Sequence, residues 1–231
     1  MNRTFDVMTS WMASVARGTH GMFLRPLGKR PARMLELYEF EACPYCRPVR
    51  ETLSVLDLEA LVRPCPPGGA RFRPEVVRLG GKQQFPFLVD PNTGKSLYES
   101  TAIIAYLYAE YGDGHVPKIA ALRPLDVALS SLASAVRAGH SKARRSREPA
   151  QPLDLWSFEA SPYCRIAREA LCELELPYRL HNVGKKSPGR AAFVARSGRM
   201  MVPYLADPNT GKEMFESAAI VRYLNETYGA R

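Results

Sequence analysis

Hydrophobic and polar positions along the chain predict one succession of secondary-structure elements. Residues 35–40, LELYEF, alternate in polarity and include two aromatic side chains, a pattern typical of a β-strand. Val49, Leu53 and Leu56 then fall at helical spacing. Pro44 suits the first turn of that helix, because an N–H there would have no helical partner. The segments that follow predict strand, helix, hairpin and helix.

The predicted hairpin has a turn with a clear chemical basis. The sequence DPNTG separates the apolar run FPFLV from KSLY. Asp90 or Asn92 can hydrogen-bond its own backbone. Pro91 restricts φ, and Gly94 tolerates a positive φ. Two antiparallel strands are therefore expected, followed by a helix that Ser100 caps. The inner face of that last helix is apolar: Ile103, Ile104, Leu107 and Tyr111.

This whole pattern is written twice. LELYEFEACPYC matches LDLWSFEASPYC, FPFLVDPNTGK matches VPYLADPNTGK, and YESTAIIAYLYAEYG matches FESAAIVRYLNETYG. A duplication of this extent predicts two tandem domains of about 100 residues each, which is enough to bury separate cores. We place the domains at residues 1–115 and 120–231, with compact cores at 35–112 (the first repeat) and 153–229 (the second repeat).

The duplication extends upstream of both cores. FDVMTSWMASVARGTH aligns with LDVALSSLASAVRAGH. Both segments carry apolar residues at helical spacing, so an amphipathic helix is expected before each core. Residues 1–33 alone have the basic, amphipathic character of an organelle transit peptide, but the mid-chain counterpart favours a structural role. The two apolar stripes are Phe5, Met8, Met12 and Val15, and Leu125, Leu129, Leu132 and Val136.

Composition narrows the class of protein. Hydrophobic residues make up 46% and charged residues 24% of the chain, and no apolar run reaches the roughly 20 residues that a membrane span needs. Five cysteines, an odd number with one close pair, argue against the disulfide framework of an exported protein. These features predict a soluble protein in a reducing, cytoplasmic setting.

The net charge of +9 arises in two basic segments. Together their charges exceed the net charge, so the rest of the chain is close to neutral. Aromatic residues are not interleaved with them as a nucleic-acid stacking surface requires, so no nucleic acid is expected as a partner. We interpret the segments as solvated connectors, with an anionic partner as the alternative. They comprise Arg17, Arg25, Lys29, Arg30 and Arg33, and Arg137, Lys142, Arg144, Arg145 and Arg147.

The CPYC sequence of the first repeat has the spacing of a redox site. A helix N-terminus favours negative charge and stabilises a Cys43 thiolate, while Cys46 lies one turn away and can close a disulfide. Cys43 is therefore the predicted nucleophile and Cys46 the resolving thiol. Zinc would need two further ligands, and the sequence has neither a second C-x-x-C nor histidines at ligand spacing, so no metal is expected. Inert structural cysteines are the other alternative.

Proline stands at equivalent points of two short apolar strands. Phe85–Pro86 begins one and Val202–Pro203 the other. Proline in a central strand loses a ladder hydrogen bond, so these positions indicate either an edge strand or a cis peptide. A cis peptide would turn backbone groups of the preceding residue toward a ligand.

A carboxylate and a hydroxyl recur at the start of each last helix. They are Glu99 with Ser100, and Glu216 with Ser217. Exposed N–H groups at such a helix start can bind a ligand carboxylate while the glutamate accepts an ammonium group. Simple N-capping by the two serines is the alternative.

In combination, these features resemble the thioredoxin fold as it occurs in glutaredoxins and in the N-terminal domain of glutathione S-transferases. The resemblance covers residues 35–112 and 153–229. It implies an α/β fold and glutathione as cosubstrate: the residue before the cis-proline would contact the cysteinyl backbone, and the Glu-Ser pair would bind the γ-glutamyl end. Lys82 and Arg199 are candidates for the glycyl carboxylate. The other implied binding residues are Tyr45, Phe85, Pro86, Glu99 and Ser100, and Ser161, Val202, Pro203, Glu216 and Ser217.

Two departures from that family bear on the activity. After residue 112 the chain starts another unit instead of the all-helical domain that completes a transferase pocket, so conjugation of bulky electrophiles is not expected. Glu41 and Ala42 precede CPYC where glutaredoxins commonly carry a lysine, which predicts a less activated thiolate. In the second repeat Ser161 cannot form a disulfide, although its hydroxyl can donate to a bound glutathione sulfur. Cys164 is expected to be a small buried residue there.

The sequence thus predicts a glutathione-dependent thiol–disulfide oxidoreductase that acts on disulfide or glutathionylated substrates. The first domain would turn over, and the second would bind glutathione or act as a scaffold. A non-catalytic glutathione-binding interaction module is the alternative, and a transferase or dehalogenase-like enzyme or an iron–sulfur cluster shared between protomers stays open. The two domains are expected to pack as an intramolecular pseudo-dimer about a pseudo-twofold axis, bridged by the upstream helices.

Overall fold

Each repeat folds in the predicted order of strand, helix, strand, helix, hairpin and helix. The computed structural model describes residues 23–116 and 142–230. The upstream helices predicted at residues 5–15 and 125–136 lie outside this part of the chain. The outer limits of the two domains stay predictions.

The two sets of elements correspond one to one. The first repeat comprises β1 (Leu35–Glu39), α1 (Cys46–Val55), β2 (Ala60–Pro64), α2 (Arg73–Gly80), β3 (Phe87–Asp90), β4 (Lys95–Tyr98) and α3 (Ser100–Tyr111). The second comprises β5 (Leu153–Ser157), α4 (Pro162–Glu173), β6 (Tyr178–Asn182), α5 (Arg190–Ser197), β7 (Tyr204–Asp207), β8 (Lys212–Phe215) and α6 (Ser217–Tyr228). Across residues 23–116 and 142–230, no helix is both long and apolar enough for a membrane span.

All eight of these strands join in one sheet, in the order β4-β3-β1-β2-β6-β5-β7-β8. Within each repeat the first two strands are parallel and the hairpin is antiparallel. The repeats meet where β2 pairs antiparallel with β6, and there Leu61 lies opposite Arg179. These two residues occupy equivalent positions in the duplicated sequence. The register therefore relates the repeats by a local twofold rotation through this pair.

The two faces of the sheet have separate cores. On one face, apolar residues of α1, α3, α4 and α6 form a single buried cluster with strand residues of both repeats. On the other face each repeat has its own small cluster: Tyr38 and Phe87 pack with Val76 of α2, and Tyr204 packs with Phe193 of α5. The inner faces predicted for the first and last helices of the first repeat are buried as expected: Val49, Leu53, Leu56, Ile103, Ile104, Leu107 and Tyr111. The counterparts of the first three in the second repeat, Ala167, Leu171 and Leu174, are buried too.

The hairpin turn is confirmed in detail. Asp90 Oδ1 accepts hydrogen bonds from the backbone and side chain of Asn92, both at 2.8 Å, and Gly94 has φ +72°. The other carboxylate oxygen, Asp90 Oδ2, accepts from the hydroxyls of Tyr106 and Tyr111 at 2.6 and 2.5 Å. The hydrogen bonds of Asp90 therefore join the turn to α3.

The two CPYC-type helices begin differently. Ser161 is the N-cap of α4, and its hydroxyl oxygen accepts the backbone N–H of Cys164 at 3.3 Å. In the first repeat α1 begins only at Cys46, after a turn, so the prediction that Pro44 lies in its first turn is wrong. The N-cap residue of α1 is Tyr45, which makes no side-chain capping bond, whereas Ser161 caps α4.

The last helix of each repeat begins with an unusual backbone. Ser100 is the first residue of α3 rather than its cap, and Glu99 takes the N-cap position without a side-chain capping bond. The predicted capping by Ser100 is therefore wrong. Glu99 has φ +66° and Glu216 has φ +72°, a region that costs a non-glycine residue about 1–3 kcal/mol.

The basic connectors are more than solvated segments. Arg30 donates to the carbonyl oxygens of Leu56 at 2.7 Å and Tyr111 at 3.0 Å, at the C-terminal ends of α1 and α3. Arg147 likewise contacts the carbonyl of Thr227 near the end of α6. Helix C-termini favour positive charge, so these hydrogen bonds stabilise the contact between each connector and its domain. The described basic residues of both segments are exposed, in agreement with the interpretation as solvated connectors, and Arg30 and Arg147 make these contacts in addition.

Candidate functional site

Cys43 and Cys46 lie together at the start of α1. The backbone N–H of Cys46 donates to Cys43 Sγ at 3.2 Å, and both cysteines are free thiols. Cys43 is only 3% exposed and Cys46 is fully buried. Next to them the side chain of Tyr45 is exposed. The predicted redox pair is thus assembled, with the sulfur of Cys43 accepting a helix N-terminal N–H.

The two thiols have opposite electrostatic settings. Burial raises the pKa of the Cys43 thiol, but hydrogen bonds from the Cys46 thiol and backbone, and from the Tyr45 backbone, outweigh burial and lower it. Burial, the hydrogen bond to Cys43 and its negative charge raise the pKa of Cys46 well above the usual value. Cys43 is therefore the thiol that ionises first, and Cys46 holds its proton.

The second repeat reproduces this geometry with a hydroxyl in place of the first thiol. Ser161 Oγ accepts the Cys164 N–H at 3.3 Å, in the place where Cys43 accepts that of Cys46. Cys164 is fully buried, and burial raises the pKa of its thiol. Cys164 thus has the small, buried character expected from the sequence.

A buried ion cluster joins the two redox-type loops, and sequence analysis missed it. Glu41, two residues before Cys43, accepts from Arg168 of the second repeat at 3.0 and 3.1 Å. Glu159, two residues before Ser161, accepts from Arg50 of the first repeat at 3.2 Å. We call this set the seam cluster. Its nine side chains are all almost completely buried: Glu39, Glu41, Arg47, Arg50, Glu51, Glu159, Arg165, Arg168 and Glu169.

The seam cluster is nearly twofold symmetric in its backbone contacts too. The Glu41 N–H lies 3.5 Å from Cys172 Sγ, and the Glu159 N–H lies 3.3 Å from Ser54 Oγ. Ser54 and Cys172 are equivalent residues of α1 and α4. The signal for this arrangement was present in the sequence, since both repeats carry Glu two positions before the motif and Arg four positions after its second cysteine.

Glu39 breaks the symmetry of the seam cluster. Its counterpart in the second repeat is Ser157, whose hydroxyl accepts from Arg168 at 3.3 Å. Burial raises the pKa of Glu39 to about 7, although Arg50 beside it opposes the shift. The Glu39 carboxylate in turn raises the pKa of both Cys43 and Cys46. A proton-binding carboxyl group therefore lies next to the dithiol and is absent from the serine-bearing repeat.

Both prolines predicted beside the site follow cis peptides. The Phe85–Pro86 and Val202–Pro203 bonds are cis, and each proline directly precedes the strand, β3 or β7, rather than lying in it. In the first repeat the Gln84 side chain donates to Glu99 at 2.5 Å. Its equivalent in the second repeat is Met201, which has no such donor.

The second repeat has a defined cavity at the predicted binding residues. Its volume is about 270 Å³, and it is lined by Tyr163, Met201, Val202, Pro203, Glu216 and Ser217. Four of these residues were predicted from the sequence, while Ser161 is not part of the lining. Tyr163 and Met201 were missed, although the repeat signals Tyr163 as the counterpart of Tyr45. The structure thus brings the cis-proline, the glutamate and the serine of the second repeat together around one cavity.

Lys82 and Arg199 occupy equivalent places in the two repeats, and Arg199 does not line the second-repeat cavity. Lys82 Nζ lies 4.7 Å from the ring centroid of Tyr98, and Arg199 Cζ lies 4.4 Å from that of Phe215. Tyr98 and Phe215 are themselves equivalent, so the two cations correspond despite a one-residue difference in loop length. Both are exposed, and neither Arg199 nor its aromatic partner lines the second-repeat cavity.

Comparison with known proteins agrees with this architecture. The sequence model described as "Glutathione S-transferase, N-terminal domain" matches residues 37–115 and again residues 155–231. The chain belongs to this family. Its fold class is accordingly α/β, with two tandem thioredoxin-like domains of the glutathione S-transferase N-terminal type, as the sequence predicted.

Similar solved structures are glutathione transferases. The Bombyx mori glutathione transferase BmGSTD1 is 30% identical, over 36% of this chain and 38% of its own length, with a TM-score of 0.33. The Leishmania protein TDR1, described as a unique trimeric glutathione transferase, is 14% identical over 87% of this chain and 68% of its own, with a TM-score of 0.31. The chain spans well under half the length of the Bombyx protein. No curated protein matches it.

Proposed function

We propose that this glutathione S-transferase N-terminal family member is a glutathione-dependent thiol–disulfide oxidoreductase whose first repeat carries the chemistry. The Cys43 thiolate attacks a sulfur of a disulfide or glutathionylated substrate. The substrate S–S bond breaks, a mixed disulfide forms on Cys43, and the leaving thiolate takes a proton. In one route the Cys46 thiolate attacks Cys43 Sγ, expels the remaining substrate thiolate and closes a Cys43–Cys46 disulfide, which two glutathione molecules then reduce. In the other route glutathione attacks Cys43 Sγ and expels the substrate thiolate, and a second glutathione thiolate attacks the bound glutathione sulfur, so that oxidised glutathione forms and the Cys43 thiolate leaves. In the glutathione route two glutathione molecules are oxidised to one disulfide for each substrate disulfide reduced.

The observation that carries this proposal is the contrast between the two thiols. The hydrogen-bond donors that converge on Cys43 lower its pKa, whereas Cys46 stays protonated. A nucleophile that ionises readily beside a thiol that does not is the arrangement that dithiol exchange requires. The five free cysteines of the chain also fit the reducing, cytoplasmic setting inferred from composition.

For the second repeat we propose a glutathione-binding role without redox turnover. Glu216 and Ser217 would bind the γ-glutamyl end, and Val202 and Pro203 the cysteinyl backbone, around the 270 Å³ cavity. Ser161 would donate to the glutathione sulfur, and Arg199 would attract the glycyl carboxylate. In the first repeat the corresponding residues are Tyr45, Lys82, Phe85, Pro86, Glu99 and Ser100.

We further propose that the repeats act as an intramolecular pseudo-dimer. The pairing of the equivalent residues Leu61 and Arg179 supports this, and so does the reciprocal seam cluster. In this arrangement one copy of the duplicated domain supports the other, and one retains the reactive pair.

Glutathione-dependent reduction of 2-hydroxyethyl disulfide tests the proposed activity. Wild-type protein should turn over, and Cys43→Ser should lose at least about a hundredfold in rate, because a serine hydroxyl is a poor nucleophile near neutral pH. Cys46→Ser should keep the route in which glutathione releases the mixed disulfide. Cys164→Ser, the matched change in the second repeat, should behave as wild type. An inactive wild type that still binds glutathione in calorimetry would contradict the oxidoreductase.

One observation favours a second candidate, a non-catalytic glutathione-binding module. Cys43 is 3% exposed, which limits the approach of a bulky disulfide. Calorimetry with Glu216→Gln and Glu99→Gln separates the contributions of the two repeats. Suppose that only Glu216→Gln abolishes glutathione binding, and that reduction of the disulfide is no faster with wild type than with any of the variants. The binding module is then correct and the oxidoreductase is not.

A further inference from the structure

The loop that presents Cys43 is held by the second repeat. Glu41 lies in this loop, and its carboxylate receives two hydrogen bonds from Arg168, at 3.0 and 3.1 Å. Its backbone N–H points to Cys172 Sγ at 3.5 Å. Arg50 of the first repeat also contacts Glu41: its guanidinium donates to the Glu41 carbonyl at 3.2 Å and lies 3.3 Å from the Glu41 carboxylate. The two-point contact to the Glu41 carboxylate and the contact of its backbone N–H therefore come from the other repeat.

The Glu41–Arg168 contact has the form of a specific positioning interaction. Both side chains are 2% exposed, and a two-point contact between guanidinium and carboxylate fixes direction as well as distance. The charges of Arg168 and Arg50 lower the pKa of Glu41 to about 2 against the effect of burial, so this carboxylate stays ionised. Removing Arg168 would take away both of these hydrogen bonds and leave the buried Glu41 carboxylate beside Arg50 and the more distant Arg165, so the loop would lose the contact that fixes its direction.

We propose that Arg168 is a positioning residue for the redox site, so that the degenerate second repeat keeps the Cys43 loop in its reactive geometry. This inference rests on the proposed function and adds to it a task for the second repeat that binding of glutathione does not supply. Arg168 acts through Glu41, which is joined to Cys43 by a single intervening residue. Arg50 makes the reciprocal contact with Glu159, beside the unreactive Ser161.

The thiol itself provides a readout that does not require turnover. The pH dependence of alkylation at Cys43, followed by peptide mapping and by thiolate ultraviolet absorbance, reports its pKa in the folded protein. Arg168→Met should raise that pKa by about one unit, which slows alkylation near neutral pH about tenfold. Arg168→Lys keeps the charge but not the two-point contact and should fall between Arg168→Met and wild type. Arg196→Met, which breaks an exposed ion pair of the second repeat, should leave the pKa unchanged.

A double-mutant cycle tests whether Arg168 acts through Glu41. Once Glu41→Gln has removed the carboxylate, a further Arg168→Met should change the Cys43 pKa much less than it does in wild type. Unfolding midpoints show which variants are folded, and Arg168→Lys decides the question if Arg168→Met does not fold. A folded Arg168 variant with lower stability and a wild-type Cys43 pKa would overturn the proposal. A shifted pKa in a protein that never reduces disulfides would overturn only the proposed enzymatic function.

Discussion

Cys43 Sγ and Ser161 Oγ make the same contact in their respective repeats. Each accepts the backbone N–H of the residue three positions later, at 3.2 and 3.3 Å. The duplicated loops therefore keep one geometry around two different atoms. The chemical difference between the repeats lies in the acceptor atom and in the residue behind it, Glu39 or Ser157.

The conserved geometry predicts that Ser161→Cys creates a reactive thiol in the second repeat. Its pKa should lie below the value of about 8.5 for free cysteine, because the Cys164 N–H is already in place to donate to the new thiolate. In addition, the position equivalent to Glu39 holds the uncharged Ser157, so no carboxylate there raises the pKa. Alkylation at residue 161, mapped by mass spectrometry across a pH series, measures this. Adding Ser157→Glu should raise the new pKa, and an unreactive thiol in Ser161→Cys would contradict the equivalence.

Glu39 predicts a pH dependence of stability. Burial raises the pKa of Glu39 to about 7 from the ordinary 4.5, so the folded state binds this proton more tightly than the unfolded state does. The stability linked to that proton is fully present below the unfolded pKa and is lost as the pH rises from about 4.5 to about 7. Glu39→Gln should remove this loss. The free energy of unfolding, measured with urea, should therefore differ less between about pH 5 and about pH 8 in the variant than in wild type.

The same substitution should also act on the thiols. Because the Glu39 carboxylate raises the pKa of Cys43 and of Cys46, Glu39→Gln should lower the Cys43 pKa further and speed its alkylation near neutral pH. An unchanged alkylation profile in a folded Glu39→Gln protein would show that this carboxyl group does not influence the dithiol.

His181 predicts a second pH effect, at the seam between the repeats. Its ring lies between Glu59 of the first repeat, at 2.7 Å, and Asp154 of the second, at 2.9 Å. Burial opposes protonation, but hydrogen bonds to Asp154 and Glu59 outweigh it and raise the pKa of His181 to about 9 from 6.5. The contribution of protonated His181 to the free energy of unfolding is fully present below about pH 6.5 and is lost as the pH rises through about 9. We expect about 1–2 kcal/mol, after allowance for solvent screening of the exposed Glu59.

The first repeat supplies the matched control for His181. Arg63 is its sequence equivalent, and Arg63 Nη2 lies 3.0 Å from Glu36, the equivalent of Asp154. His181→Arg should therefore keep the ion pairs and remove the loss of stability between about pH 6.5 and about pH 9. His181→Gln should lower the free energy of unfolding at about pH 6 and leave it nearly unchanged above about pH 9. Equal effects of His181→Gln at both pH values would contradict the assignment.

The hairpin–helix contacts predict equal destabilisation in the two repeats. Tyr111 and Tyr228 donate to Asp90 and Asp207, at 2.5 and 2.6 Å. Tyr111→Phe and Tyr228→Phe should each cost about 1–3 kcal/mol, because each leaves a carboxylate with one hydrogen bond fewer. Chemical denaturation measures the cost, and a double variant should be close to additive if the two repeats unfold as one unit. A cost confined to one variant would show that the two hairpins are not equivalent.

Local sequence signals were sufficient for most of the fold. Strand alternation, helical spacing and the DPNTG turn depend on neighbours within a few residues, so the order of elements and the buried faces could be predicted. The cis peptides before Pro86 and Pro203 were one of two alternatives, and the structure decided between them. The start of α1 was predicted wrongly, because Pro44 lies in the turn before the helix, which begins at Cys46 with Tyr45 as its N-cap.

The duplicated sequence by itself determined that there are two thioredoxin-like domains, that one bears a C-x-x-C pair, and that serine replaces its first cysteine in the other. Only the tertiary structure decided how the domains meet, because the pairing of β2 with β6 and the contacts of Glu41 with Arg168 join residues far apart along the chain. A buried charged side chain needs an oppositely charged side chain beside it, and a local sequence pattern does not show which distant residue supplies that charge. The fold of each domain is thus a local property of the sequence, whereas the environment of its thiols depends on the other domain.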